Sequence, residues 1–381
     1  VAGQMADSGS ASASDTELTD SSAKRFVSIS ITTVATDNVV TEAEGSAGFT
    51  VVGVTDETGE TVTCNYGGVT DAVTADGSTG AFTCLFDDDG TGSYGNMGGV
   101  ADGTITVTAS VTVGGSTTTA TTFITQDTVV PTVTITASQG SDGFSSNDAT
   151  LSLTFALSES STNFAVGDIA AGGGDLSSFS GSGQSYTATF TPTGGDGAKT
   201  INIAAGGFTD TNTNDNAVAT EFNWAYDTTA PTWSSVAFAS GDYVNAAEDD
   251  GNVNLVITTI GVENGQTVTA TLNSAGYTCS ITSNVCTASI TSAGLKGLSD
   301  GTAYTFSVAV SDSAGNAATA DTSESFTYDP TAPTMTISST TVSSGDTSND
   351  ATIALAFTSS ESTTDLVVGD ITLSGGTLSS F

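Results

Sequence analysis

Histidine is absent from the 381 residues of the sequence, and this absence excludes whole classes of catalytic site. Ser–His–Asp and Cys–His arrangements need an imidazole to activate the nucleophile, so the chain cannot use them. No glycine-rich loop is followed by the lysine of a phosphate-binding loop. Paired carboxylates could still hydrolyse glycosides, but the two tryptophans that could stack on a sugar, Trp224 and Trp233, lie beside linkers, where packing is expected. We therefore predict that the chain is not an enzyme.

Basic residues are almost as rare. Lys and Arg together number 4 against 42 Asp and Glu, which gives a formal net charge of −38. Such a surface repels the phosphates of nucleic acids and anionic lipids, so neither is expected as a partner. The same surface favours cations.

Long apolar runs are also missing. No stretch approaches the roughly 20 residues that span a bilayer, and residues 1–25 lack the basic-then-apolar order of a signal peptide. We expect no membrane insertion in this segment. Export would require a signal that was removed or that lies outside this sequence.

Alternating apolar and polar residues replace helical periodicity throughout the chain. The run GTITVTASVTV at 103–113 is typical of a half-buried strand, and glycine interrupts nearly every segment that could form a helix. A hydrophobic fraction of 37% argues against disorder despite the charge. The sequence predicts an all-β fold of tandem Ig-like β-sandwich domains in an extended array.

The four cysteines fall into two local pairs, each on neighbouring strand-like runs. This spacing favours the disulfides Cys64–Cys84 and Cys279–Cys286 and an oxidising compartment. A zinc site would have to draw all four thiols from distant modules without a histidine.

Three short signatures divide the chain: DTVVP at 127–131, DTTAP at 227–231 and DPTAP at 329–333. Their spacing of about 100 residues is the length of one small β-sandwich. We predict a polar N-terminal segment at 1–25, module A1 at 26–127, module B1 at 128–227, module A2 at 228–329 and a partial module B2 at 330–381. Module B2 stops where its twin has further strands, so we expect that it is truncated or is completed by a partner chain.

Internal similarity supports this alternation of A and B modules. The motifs SNDAT, SES, VGDI and LSSF of module B1 recur in the same order and without a gap in module B2. In the A modules VTEAE matches VNAAE, ETVT matches QTVT, and ADGT matches SDGT. The repeated order indicates duplication.

These motifs resemble a known family. The B modules, with SES, VGDI and LSSF, look like the bacterial Ig-like repeats of large surface proteins. The A modules, with VNAAE, GQTVTATL and LSDGTAYTFSVAVSDSAGNAA, resemble sister repeats found in tandem in giant calcium-dependent adhesins. The resemblance implies a β-sandwich fold, an extracellular or cell-surface location and calcium (Ca²⁺) at the module junctions. Module A1 has VGGS where module A2 has SDSAGN, so its F–G loop lacks acids.

Sandwich topology places the acidic loops at opposite ends of each module. The B–C and F–G loops lie at the leading end, and the A–B and E–F loops lie at the trailing end. We predict that strand G of module B1 covers 217–226. Such a strand is about 30 Å long, so Asp215 and Asp227 belong to different junctions.

We therefore predict three sets of ligands. The first junction would collect Glu44, Asp102, Asp127, Glu159, Asp210 and Asp215. The second would collect Asp227 with Asp142 or Asp196, and Glu263, Asp312 and Asn316. The third would collect Glu248, Asp300, Asp329 and Glu361. Calcium suits such loops because it accepts six to eight hard oxygens in irregular geometry; the alternative is that these acids are ordinary turn residues in an acidic surface.

The sequence thus favours a structural function. We interpret the chain as the shaft of an extracellular bacterial adhesin or cell-surface protein, stiffened by calcium, with neighbouring domains or subunits as partners and a surface receptor or glycan as a further one. The second hypothesis is a self-assembling surface-layer or filament subunit with strand donation between chains. The third is a carbohydrate-binding or enzyme accessory module.

Overall fold

The structure is a computed structural model that describes residues 11–12, 16–20, 23–87, 95–96 and 99–381, with side chains in 27–87 and 99–381. The chain divides into two compact units, Val1–Thr228 and Thr229–Phe381. None of the helices in these described ranges is long and apolar enough to cross a membrane.

The described residues of module A1 and of the segment before it lie mainly in strands. The strands are β1 (Ala11–Ser12), β2 (Thr16–Asp20), β3 (Ala23–Val27), β4 (Ile29–Val34), β5 (Val39–Thr41), β6 (Phe49–Thr55), β7 (Thr61–Tyr66), β8 (Val69–Thr74), β9 (Ala81–Asp87), β10 (Gly95–Asn96), β11 (Gly103–Val113) and β12 (Ser116–Asp127). One short helix, α1 (Glu42–Ala47), follows β5. Strands β2 and β3 pair with each other in an antiparallel hairpin.

Two five-stranded sheets form the sandwich of module A1, in the orders β1-β4-β6-β9-β10 and β5-β12-β11-β7-β8. Alternate residues of each strand point into the core between the sheets, as Val107, Ala109 and Val111 do in β11. The predicted disulfide Cys64–Cys84 is present and joins β7 of one sheet to β9 of the other. It therefore bonds the two sheets covalently through the core.

A two-residue hairpin turn joins β11 to β12. Gly114 and Gly115 both have positive φ, at 60° and 87°, which is the conformation that such turns require and that glycine adopts without strain. The F–G loop of module A1 therefore carries no acid, as the motif VGGS predicts.

Module B1 forms seven strands in two sheets. The strands are β13 (Val133–Ala137), β14 (Ser145–Ser146), β15 (Leu151–Ser161), β16 (Ile169–Gly172), β17 (Gly174–Pro192), β18 (Gly197–Ile203) and β19 (Phe222–Tyr226), with a 3₁₀ turn at Val166–Asp168. The sheet orders are β13-β15-β17 and β14-β19-β18-β16. Aromatic side chains fill the core between them; Phe190 and Trp224 meet edge to face with ring centroids 4.7 Å apart.

The prediction of a continuous strand over 217–226 is wrong in its first half. Strand β19 begins only at Phe222. Before it, the N–H of Ala217 donates to the carbonyl of Pro131 and the N–H of Ala219 donates to that of Ile203. These single bonds take the place of a regular ladder, so the segment is irregular. Phe222 and Trp224 of β19 are both buried in the core.

The second unit contains module A2 and the part of module B2 in this sequence. The strands of module A2 are β20 (Thr232–Phe238), β21 (Tyr243–Val244), β22 (Val253–Ile260), β23 (Thr267–Leu272), β24 (Ala275–Ser280), β25 (Val285–Ile290), β26 (Thr302–Thr305), β27 (Ser307–Ala309) and β28 (Ser325–Tyr328), with helix α2 (Ser292–Lys296). They form three small sheets, β20-β22-β25, β21-β28-β26 and β24-β23-β27. The predicted disulfide Cys279–Cys286 is present between β24 and β25. Residues 330–381 contain the antiparallel pair β29 (Met335–Ser339) and β30 (Leu355–Ser359) and a 3₁₀ turn at Val368–Asp370.

Candidate metal centre at the first module junction

Asp127 stands at the end of module A1. It is the last residue of β12, and its parallel pairing with Thr41 of β5 fixes its backbone. Its Oδ1 accepts a hydrogen bond from the N–H of Val129 at 3.3 Å. Its Oδ2 accepts one from Nδ2 of Asn212 at 2.6 Å. The carboxylate therefore contacts the F–G loop of module B1.

That F–G loop folds back on the side chain of Asp210. Oδ1 of Asp210 accepts hydrogen bonds from the N–H groups of Asn212 and Asn214, at 2.7 and 3.0 Å. Oδ2 accepts one from Nδ2 of Asn214 at 2.9 Å, and the N–H of Asp210 donates to the carbonyl of Asn214 at 3.1 Å. Asp210 and Asn214 are both buried. These bonds hold the carboxylate of Asp210 in one position beside the linker.

Glu159 supplies the third carboxylate. It lies near the end of β15, so the strand continues past the point where we predicted the B–C loop. Its Oε2 is buried and has no hydrogen-bond partner among the described residues. Burial raises the pKa of the Glu159 carboxyl, and the charges of Asp127, Asp210 and Asp102 raise it further. A buried carboxylate oxygen without a donor is costly, so the position favours a proton or a cation.

Asp127, Glu159 and Asp210 form one group. A carboxylate oxygen of each lies within 4.8 Å of those of the other two. At about 4 Å, like charges repel by roughly 1 to 4 kcal/mol per pair, depending on the local dielectric. The group combines the last residue of module A1 with two residues of module B1. Within the part of the chain that the structure describes, no second group of three such side chains comes this close.

The other residues predicted for the first junction have local partners. Oε2 of Glu44 accepts hydrogen bonds from the N–H and the hydroxyl of Thr41, which closes a capping box at the start of α1. The carboxylate of Asp102 binds the N–H and hydroxyl of Thr128. Asp215 is exposed on the surface of the loop. The structure does not place these three in the group.

Acids at the trailing end of module B1 are also engaged. Oδ1 of Asp196 accepts hydrogen bonds from the N–H and hydroxyl of Thr228, at 2.9 and 2.7 Å. Oδ1 of Asp142 instead accepts one from the N–H of Asn223 at 2.7 Å. The N–H of Asp227 donates to the carbonyl of Ser146. Asp196 therefore contacts the linker, whereas Asp142 contacts β19.

In module A2, Asp312 and Asn316 repeat the loop of module B1. Oδ1 of Asp312 accepts the N–H of Asn316 at 2.8 Å, and Oδ2 accepts Nδ2 of Asn316 at 3.0 Å. The N–H of Asp312 donates to the carbonyl of Asn316 at 3.1 Å. Oε2 of Glu263 accepts the N–H of Ser313 at 2.8 Å, so it supports the same loop.

The residues predicted for the third junction have separate roles in the second unit. Oε2 of Glu248 accepts the N–H of Asn245 at 3.0 Å, and Oδ2 of Asp300 accepts the hydroxyl of Thr331 at 2.5 Å. The N–H of Asp329 donates to the carbonyl of Val244, and the N–H of Glu361 donates to the hydroxyl oxygen of Ser359 at 3.4 Å. Among the described residues of this unit, these four acids do not form a group like that of the first junction.

Sequence reasoning did not assign roles to Asn212 and Asn214, although both contact the linker. A signal was present: the spacing D-x-x-x-N occurs at 210–214 and again at 312–316, in corresponding loops. The two tryptophans have packing roles, since Trp224 is in the core and Nε1 of Trp233 donates to the carbonyl of Thr319.

The facing, mainly antiparallel sheets of modules A1 and B1 define an Ig-like β-sandwich fold, and the comparison with known families agrees for one of these modules. Residues 127–226 match the family model of a bacterial Ig-like domain, which confirms the predicted resemblance for module B1. No curated protein matches the sequence.

The solved structures that are similar to the chain include parts of bacterial adhesins. A part of a 1.5-MDa bacterial ice-binding adhesin is 18% identical over 77% of this chain and 95% of that one, with a TM-score of 0.30. A Ca²⁺-stabilised adhesin with which an Antarctic bacterium binds ice is 21% identical over 81% and 76%, with a TM-score of 0.28. A tetra-tandem repeat from the extending region of a large adhesion protein is 18% identical over 84% and 87%, with a TM-score of 0.30. These scores are too low to establish a shared arrangement of modules.

Proposed function

We propose that the chain is a section of an extracellular rod of Ig-like modules, the shaft of a bacterial adhesin or a related cell-surface structure. In this role each module is a spacer, and the junctions set how stiff the rod is. The two disulfides support a location outside the cytosol, since such bonds persist in oxidising compartments. The net charge of −38 supports cations, rather than nucleic acid, as the partners of the surface.

The observation that carries the proposal is the group of Asp127, Glu159 and Asp210. Its donor atoms are carboxylate oxygens, which suit calcium. They come from the end of β12, from β15 and from the F–G loop, and calcium tolerates such an irregular set better than magnesium does. The buried Oε2 of Glu159 has no hydrogen-bond partner among the described residues, so it is suited to take a metal ion as its partner. A calcium ion held by these three residues would neutralise the repulsion between modules A1 and B1.

Small-angle scattering of the whole chain with calcium and with a chelator tests this function. In chelator we expect the maximum dimension of the chain to become less well defined, because the junctions loosen. Circular dichroism should show that the sandwiches stay folded. Glu159→Gln should weaken calcium binding measured by calorimetry. Glu221→Gln, which removes an exposed acid of the same module, is the matched control and should leave calcium binding unchanged. Identical scattering in calcium and chelator would sink the proposal.

A further inference from the structure

The side chain of Asn214 contacts three different parts of the chain. Its Oδ1 accepts a hydrogen bond from the N–H of Glu42, in module A1, at 2.8 Å. Its Nδ2 donates to the backbone carbonyl of Asp127 at 2.9 Å and to Oδ2 of Asp210 at 2.9 Å. The residue is 3% exposed. One buried amide thus joins module A1, the linker and the loop of module B1.

The orientation of this amide is determined by its partners. Both partners of Nδ2 are oxygens that can only accept, and the partner of Oδ1 is an N–H that can only donate. A rotation of the amide by 180° would face donor with donor and acceptor with acceptor. The three contacts therefore require asparagine; a carboxylate cannot replace the two N–H groups, and an alanine can replace neither side.

The equivalent residue in module A2 makes the same bonds within its own loop. Asn316 makes the same bonds to the aspartate of its own loop, from its N–H and from Nδ2, at 2.8 and 3.0 Å. Those bonds fold the loop. The bonds from Asn214 to Glu42 and to the carbonyl of Asp127 are additional to them, so folding of the F–G loop does not explain them.

A second amide strengthens the same contact. Nδ2 of Asn212 donates to Oδ2 of Asp127 at 2.6 Å, so a neutral donor satisfies an acid at the end of module A1. Hydrogen bonds to charged groups are stronger than those between neutral groups. Asp127 and Asp210 thus have donors from the protein itself, whereas the buried Oε2 of Glu159 has none among the described residues.

We propose that Asn214 is the positioning residue of a clamp that docks module B1 on module A1 without a metal ion. The clamp consists of Asn214, Asn212, the N–H of Glu42 and the carbonyl of Asp127. The clamp rests on the proposed function only because that function makes the modules parts of a rod. None of the hydrogen bonds of the clamp involves a cation. It also holds Asp127 and Asp210 close together before an ion binds.

Removal of a single N–H tests the clamp most directly. Glu42 is the first residue of α1, where proline is tolerated because that N–H has no partner within the helix. Thr41, which precedes it, has φ −89° and ψ 171°, a conformation that is compatible with a following proline. Glu42→Pro therefore removes the donor to Asn214 and leaves the helix intact. Glu42→Ala removes the same side chain but keeps the N–H.

The distance between the modules can be measured by electron paramagnetic resonance on the whole chain in chelator. Spin labels would be attached at the exposed positions Thr119 of β12 and Thr154 of β15, each after substitution by cysteine. We expect Glu42→Pro to increase the ratio of undocked to docked molecules roughly fivefold, as for the loss of one hydrogen bond. Glu42→Ala should give the distribution of the parent chain.

Substitution of the amide itself gives a second, independent test. Asn214→Ala should increase the undocked ratio about 25-fold, since two contacts between the modules are lost and each contributes about fivefold. Asn214→Asp should increase it further in chelator, because it adds a fourth carboxylate, and calcium should reverse most of this effect. Asn316→Ala makes the same change in module A2 and should leave the A1–B1 distances unchanged.

The outcomes separate this clamp from the proposed function. If Glu42→Pro and Asn214→Ala both match the parent distribution in chelator, the clamp is wrong. If they open the junction while calcium changes nothing in any variant, the clamp stands and the calcium function fails. Thermal unfolding of each variant shows whether module B1 is still folded, and Glu42→Pro keeps the test valid if Asn214→Ala does not fold.

Discussion

Oδ1 of Asp102 accepts hydrogen bonds from both the backbone N–H and the hydroxyl of Thr128, at 3.1 and 3.0 Å. The aspartate ends the loop before β11, and the threonine follows Asp127 in the linker. An aspartate–threonine contact of this kind also occurs after the other two modules; in the third, the threonine hydroxyl donates to Oδ2 of the aspartate. The corresponding pairs are Asp196 with Thr228, and Asp300 with Thr331. In all three cases the aspartate is followed by a glycine with positive φ, at Gly103, Gly197 and Gly301. We call this contact the linker lock.

Asp102→Ala should release the first linker lock. It removes two hydrogen bonds at an exposed site, so we expect a loss of about 1 kcal/mol in the free energy of unfolding of module A1. Asp102→Asn keeps an oxygen acceptor at the same position and should lose less than half of that. Chemical denaturation of both variants, followed by circular dichroism, measures the difference in the free energy of unfolding. Equal losses for the two variants would contradict the lock.

Glu159→Gln should have opposite effects with and without metal. In chelator the substitution removes one of three mutually repelling charges, so the thermal midpoint of module B1 should rise. In calcium the same substitution removes a ligand, so the stabilisation by added calcium should shrink. Differential scanning calorimetry in chelator and in calcium measures both effects. A lower thermal midpoint of Glu159→Gln in chelator would contradict this prediction, because it would show that the charge of Glu159 does not destabilise the metal-free fold.

Stability in chelator should depend on pH through Glu159. Burial and the nearby charges raise the pKa of its carboxyl in the folded chain. Between the ordinary and the raised pKa the folded chain therefore binds more protons than the unfolded chain, and the free energy of unfolding falls as pH rises through this range. Glu159→Gln should remove this fall. Denaturation curves at closely spaced pH values test it, and parallel pH profiles for the parent and the variant would contradict it.

The two disulfides should differ in their contribution and in their accessibility. Cys64 and Cys84 are 20 residues apart and fully buried, whereas Cys279 and Cys286 are 7 apart and Cys279 is half-buried. Loop-closure entropy gives about 3 kcal/mol for the first bond and about 2 kcal/mol for the second. Under mild reductant without denaturant, thiol labelling should therefore appear first at Cys279 and Cys286. Mass spectrometry of the labelled peptides identifies the order.

Glu44→Gln should preserve the stability of module A1, because glutamine also closes a capping box. Both carboxylate oxygens of Glu44 already accept hydrogen bonds, from Thr36 and Thr41, so we expect the calcium affinity to change by less than about twofold. Glu44→Ala should cost about 1 kcal/mol through loss of the cap. A large loss of calcium affinity in Glu44→Gln would restore Glu44 to the set of ligands. Calorimetric titration with calcium decides this point.

Much of the fold follows from local pattern in the sequence. Alternation in runs such as 103–113 predicts strands because their side chains point alternately to the two faces. The pairs of cysteines on neighbouring strands predict both disulfides, and the linker signatures predict where the modules meet. The acids Asp127, Glu159 and Asp210 were predicted from topology alone, since loop order fixes the end of the sandwich at which each one lies.

Other features depend on atoms that sequence pattern does not place. Strand β19 starts only at Phe222 because the backbone N–H groups of Ala217 and Ala219 donate to single carbonyls, those of Pro131 and Ile203, instead of to a regular ladder. The capping role of Glu44 competes with a ligand role for the same residue, and hydrogen-bond distances decide between them. Asparagine is common in turns, so the sequence does not distinguish Asn214 from an ordinary turn residue. The approach of Glu42, which is 172 residues away, and of the carbonyl of Asp127 gives its amide a role between modules.

The linker lock has a consequence for how such arrays change in length. Modules A1, B1 and A2 each carry this aspartate in a loop at the trailing end, and the linker after each supplies a threonine, whichever type of module follows. Unequal recombination between repeats therefore regenerates a complete lock at every new boundary. A lineage can lengthen or shorten the array by whole repeats without a compensating mutation at that contact, whereas the contact of Asn214 with the backbone N–H of Glu42 also needs an asparagine in the loop of the following module.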